Sequence, residues 1–174
     1  RIADRLGYDL TKKRKNIHAT IERHVALLLE RHTVNCVLDV GAHEGEYARS
    51  LREAGYKGMI LSFEPVAAHF ATLGRLCAGD KAWRCYNFAL GRCERTDTMT
   101  LYGAGQLASF LSASDFAREC FFEAAEPLDQ VKVPVRRLDS IWGELVDGVD
   151  DPRAYLKMDT QGYDLEVFAG AVGC

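Results

Sequence analysis

The sequence predicts one α/β domain built around a parallel sheet, and three observations predict it. From Asn35 onward, short apolar runs alternate with helical stretches, the pattern of repeated strand-helix units. Cys36-Val37-Leu38-Asp39-Val40 is almost continuously apolar, as a central strand covered on both faces must be. A loop bounded by Gly41 and Gly45 follows that strand and leads into a helical pattern. The 174 residues are 48% hydrophobic and 27% charged, enough apolar material for one substantial core. No internal repeat, low-complexity stretch or flexible linker breaks the pattern.

Taken in order, residues 1–33 form an N-terminal helical segment. Ile17, Ile21, Val25, Leu28 and Leu29 lie on one stripe of an amphipathic helix that packs on the core. Lys12, Lys13, Arg14 and Lys15 before it read as a solvated helix face. Residues 34–174 form the domain proper. After the first strand, residues 47–54 read as a helix closed by Gly55, where a left-handed cap is needed. Residues 59–63 are the second strand, 66–76 a helix and 83–90 the third strand. Residues 96–102 alternate like a strand, and 116–125 read as a short helix. Residues 131–135 form a further strand, in which Pro134 points to a sheet edge or a strand end. A short helix at 141–146, a core strand at 154–158 and a helix at 163–170 complete the chain.

Composition narrows the function. A formal charge of -3 gives no general attraction to phosphate backbones or anionic membranes, so neither nucleic acid nor membrane is an expected partner. A small organic substrate is the default. No apolar run approaches the roughly 18 residues of a membrane span, and the start lacks the form of a secretion signal. The six cysteines show no C-x-x-C pair, which fits reduced thiols and a cytoplasmic protein.

The most informative stretch is Asp39-Val40-Gly41-Ala42-His43-Glu44-Gly45, because two glycines between strand and helix let a ligand lie against the backbone. Glu64 ends the second strand about twenty residues later, where an acid accepts hydrogen bonds from ribose hydroxyls. Nicotinamide dinucleotide and S-adenosyl-L-methionine sites share this geometry. The dinucleotide fingerprint is G-x-G-x-x-G, whereas the spacing here is G-x-x-x-G with Asp39 in front. An acid repels a pyrophosphate but suits the positive amino-acid end of adenosylmethionine. A methyltransferase is therefore preferred; an NAD-dependent oxidoreductase and a non-catalytic methyltransferase-like binding module are the alternatives.

Five segments carry a more specific likeness: 37–42 (Val-Leu-Asp-Val-Gly-Ala), Phe63-Glu64-Pro65, 87–91 (Asn-Phe-Ala-Leu-Gly), Arg137-Leu138-Asp139, and the K-x-D-x-Q-G-x-D run from Lys157 to Asp164. In this order the chain resembles the FkbM family of class I S-adenosylmethionine-dependent methyltransferases. The resemblance implies a Rossmann-like three-layer sandwich. A complete class I domain has seven strands and ends in an antiparallel hairpin, so the chain is expected to lack the C-terminal strands.

The resemblance also implies S-adenosyl-L-methionine as methyl donor and a hydroxylated small molecule, a sugar or polyketide-type metabolite, as acceptor. By position, Asp39, Gly41 and Gly45 would line the methionine end, Glu64 the ribose, and Asn87, Ala89 and Leu90 the adenine. Asp159 and Gln161 would face the transferring methyl, with Ser109 and Phe110 near the cofactor. Methyl transfer to a hydroxyl requires alignment and removal of a proton, and Asp159 is the candidate base; its alternative role is to cap the helix that follows. Asp139 reads as a helix cap. His43 reads more readily as a surface group than as a contact to the acceptor, and His18, His24, His32 and His69 fall on helices without matched acids, so no metal ligand is assigned. A divalent ion at Asp159, as in some related oxygen methyltransferases, stays open.

Overall fold

A computed structural model describes residues 21–102, 107–111 and 127–174; the expected helix at 116–125 and the start of the N-terminal segment lie outside them. Four parallel strands form the first sheet in the order β3-β2-β1-β8, comprising β1 (Cys36–Val40), β2 (Met59–Phe63), β3 (Trp83–Tyr86) and β8 (Ala154–Met158). All five residues of β1 are buried, as its continuous apolar character requires.

The alternation of side chains across β1 assigns the layers. Cys36, Leu38 and Val40 pack with α4 (Leu138–Leu145) and α5 (Asp164–Ala169) through Ile141, Leu145 and Val167. Val37, with Ile60 of β2, packs on the other side with Leu29 of α1 (Ile21–Arg31), Leu51 of α2 (Glu46–Glu53) and Leu73 of α3 (Ala67–Cys77). The result is a three-layer α/β/α sandwich, as the sequence predicts. Gly55, at φ 103°, closes α2 by donating its N–H to the carbonyl of Arg52, so the left-handed cap forms.

A second sheet has the order β4-β7-β5-β6. Here β4 (Ala89–Leu90) runs parallel to β7 (Pro127–Arg136), and β5 (Arg95–Tyr102) pairs antiparallel with both β7 and β6 (Leu107–Ser109). The expected single strand at 83–90 is therefore two strands in two sheets. The reason is Asn87, whose Nδ2 donates to the carbonyls of Glu64 and Pro65 and turns the chain out of the first sheet. Pro134 lies in an inner strand of this sheet, not at its edge, but close to the strand end and just before the two residues that pair with β4. Helix α4 starts three residues before the sequence reading put it, because Leu138 is part of its buried stripe.

Candidate active site

A cavity of about 390 Å³ opens at the carboxyl ends of β1, β2 and β8, where open parallel sheets place their ligands, and residues of the second sheet form its far wall. Gly41, Glu64, Ala89, Leu90, Asp159 and Gln161 line it; Asp39, Gly45 and Asn87 do not. His43, Glu46, His69 and Lys157, none of them assigned a site role from the sequence, line it as well.

The glycine loop is shaped first by packing. Gly41 has φ 74°, and a Cβ there would lie 2.1 Å from the carbonyl oxygen of Asp159, so β1 and β8 meet too closely for any side chain. Gly45 has φ 93° at the start of α2, with Leu73 and Trp83 3.0–3.2 Å from where a Cβ would stand. Gly41 N–H and Ala42 N–H both donate to the carbonyl of Phe63, clamping the loop to β2.

Glu64 is only 5% exposed. Its Oε2 accepts the His43 N–H at 2.9 Å and its Oε1 the Val66 N–H at 2.8 Å, which fixes the carboxylate while each oxygen keeps a second acceptor position. Burial pushes the carboxyl up to about 7, against the pull of those two N–H groups. His69 Nδ1 lies 3.8 Å from Oε1, so this histidine does have an acidic neighbour, contrary to the sequence reading. Helical periodicity within α3 cannot show it, because the acid comes from the preceding strand end. Asn87 stays behind the wall, holding the turn that carries Glu64.

His43 is more than a surface group. It adopts φ 49°, unusual for a residue with a side chain, and its Nδ1 lies 3.0 Å from Glu46 Oε1. The His43 and His69 rings are 4.1 Å apart, so two imidazoles sit between two carboxylates on one side of the cavity. Among the described residues no group of three or more His, Cys, Asp or Glu side chains is arranged to hold a metal ion.

Asp39 is fully buried behind the cavity. Strand register places it beside Ser62 of β2 and Lys157 of β8, and Lys157 Nζ lies 2.9 Å from its Oδ1. Ser62 Oγ donates to its Oδ2 at 3.4 Å and accepts from Trp83 Nε1 at 2.9 Å. Burial pushes the Asp39 carboxyl above its ordinary range, and Lys157 pulls it back with less effect.

Asp159 follows β8 on the cavity wall, and Gln161 Nε2 donates to its Oδ1 at 3.0 Å. Gln161 has φ 52°, held by Ser109 Oγ donating to its carbonyl; Ser109 is itself buried, and Phe110 beside it lines the cavity. Asp159 does not cap α5: the turn is closed instead by Asp164, which accepts from the N–H and Oγ1 of Thr160. Nor does Asp139 cap α4. It lies within the helix and accepts from Arg137 and from the N–H of Gly173, tying down the chain after α5.

A parallel sheet with an acid closing its second strand, a tight glycine turn after its first and a second acid at the end of β8 is the arrangement of an α/β domain that binds a nucleotide-type cofactor. The FkbM methyltransferase domain matches residues 39–173, and the chain belongs to that family. Among solved structures it is similar to methyltransferase FkbM from Methylobacillus flagellatus KT, with 18% identity, 79% of this chain covered and a TM-score of 0.49. The chain spans 29% of the length of that protein. No curated protein matches it.

Proposed function

We propose that the chain forms the donor site of an S-adenosyl-L-methionine-dependent methyltransferase that acts on a hydroxyl of a small metabolite or sugar. The observation that carries this reading is Glu64: a buried carboxylate on the cavity wall, held by two backbone N–H groups and still able to accept from two neighbouring hydroxyls. A ribose supplies such a pair. Phe63, Ala89 and Leu90 offer an apolar surface for the adenine, and Gly41, Ala42 and Lys157 take the methionine end. The donor supplies an electrophilic methyl group on a sulfonium.

Asp159 is placed to orient the acceptor hydroxyl and to take its proton at a carboxylate oxygen, while Gln161 holds that carboxylate in one orientation. Phe110 and Met99 form the opposite wall. Among the described residues no helix is long and apolar enough to cross a membrane.

Calorimetric titration with S-adenosylhomocysteine tests the reading against NAD. Binding of the first and not the second is expected; the reverse favours an oxidoreductase. Glu64→Ala should weaken S-adenosylhomocysteine binding by at least about 1 kcal/mol through the lost ribose hydrogen bonds, and unchanged affinity would remove Glu64 from the site. Donor binding without turnover on any hydroxylated acceptor would mark a binding module instead.

A further inference from the structure

Asp39 and Lys157 exchange the places that charge alone would give them. The acid is fully buried and absent from the cavity wall, whereas Lys157, its side chain 16% exposed, forms part of that wall. Of this pair, the ammonium and not the carboxylate is what a ligand beside Gly41 meets. Lys157 Nζ lies 2.9 Å from Asp39 Oδ1, donates to the Gly41 carbonyl at 3.1 Å and sits 5.3 Å from the centre of the Tyr47 ring, which also lines the cavity. An ammonium has three donors; one goes to the Gly41 carbonyl and the charge is paired with Asp39, so donor capacity remains for a ligand in the cavity. Asp39 and Gly41 also fix the long side chain, so little of its freedom remains to be lost on binding.

We infer that Lys157 binds the carboxylate of the donor's methionine moiety, and that Asp39 is a positioning residue for Lys157 rather than the partner of the donor's ammonium. The inference rests on the reading of the cavity as an adenosylmethionine site. A charge-assisted N–H···O bond in a half-dry cavity gives the amino-acid end one fixed orientation, which in turn fixes the sulfonium relative to Asp159. A ligand lacking only the carboxylate loses that anchor while keeping its ribose and adenine contacts.

The test compares S-adenosylhomocysteine with S-adenosyl-3-thiopropylamine, which differs by loss of the carboxylate, in calorimetric titrations of the whole chain. The unsubstituted protein should prefer S-adenosylhomocysteine by at least about tenfold, as expected for a charged hydrogen bond. Lys157→Met should abolish the preference, leaving both ligands near the affinity of the thiopropylamine for the unsubstituted protein. Asp39→Asn should retain a preference, because the ammonium remains. A Lys157→Met protein that keeps the preference, or that loses affinity for both ligands equally, overturns the assignment. If that variant does not fold with Asp39 left unpaired, the Asp39→Asn, Lys157→Gln double variant carries the same comparison. An unsubstituted protein that binds both ligands equally refutes the role of Lys157 alone; one that binds neither refutes the donor site and this role with it.

Discussion

Glu64 is held in a state that a ligand would change. Its carboxyl titrates at about 7 because burial disfavours the charge, whereas ribose hydroxyls donate best to the ionised form. Donor binding should therefore strengthen as pH rises. Between pH 6 and pH 8 the ionised fraction of the free site grows about tenfold, and S-adenosylhomocysteine affinity should grow by up to that factor. In Glu64→Gln the profile should flatten; a slope that survives would show that Glu64 is not its source. The strand-end place of Glu64 was legible in the sequence because it follows the glycine loop by about twenty residues; by itself it would read as readily as an exposed loop acid. Lys157 was not, because its place beside Asp39 depends on β1 pairing with β8, a register between segments more than a hundred residues apart in the chain.

At the scale of elements, Arg52 joins one end of the sandwich. Its guanidinium donates to Asp80 Oδ2 at 2.7 Å and to the carbonyls of Tyr56, Gly58 and Ala82 at 2.8–3.0 Å. It thereby binds the end of α2 to the turns before β2 and β3. Arg52→Ala leaves these acceptors without their donor and should cost about 2–4 kcal/mol in urea denaturation. Arg52→Lys should recover less than half, since an ammonium cannot match the fork of four bonds; full recovery would mean that the charge alone matters. Strands β1 and β2 were readable to the residue because burial on a parallel sheet leaves continuous apolar runs; β8 has the expected bounds but is not the core strand expected, since it ends the described sheet and none of its residues is fully buried. The break at Asn87 was hidden, since it comes from a side chain reaching the end of β2. The first half of β7 was hidden too: Pro127, Leu128, Asp129 and Gln130 are exposed, and pairing with β5, not burial, makes them a strand.

At the scale of the molecule, the cavity draws its walls from both sheets, with Glu64 and Asp159 on one side and Leu90, Met99 and Ala108 on the other. The sheets are also joined by Arg95 of β5, which donates to the Tyr163 hydroxyl just before α5. A ligand in the cavity should stabilise both. With S-adenosylhomocysteine at a hundred times its Kd, global stability should rise by about 2.7 kcal/mol. Hydrogen exchange should slow in β5 and β7 as well as in β1 and β8; protection confined to the first sheet would place the ligand away from the second. The two-sheet division is not visible in hydropathy, which marks strands but not the sheet each one joins.

The contact between Gly41 and the Asp159 carbonyl bears on how the cavity can be redesigned. At that point the wall is backbone against backbone, so no substitution can enlarge it and any side chain at position 41 would force β1 and β8 apart. Room for donor analogues with bulkier transferable groups has to be carved from the opposite side, where Met99 and Phe110 present side chains that can be shortened. An engineered pocket would thus keep its reacting edge rigid and change its size only through the second sheet and the segment after it.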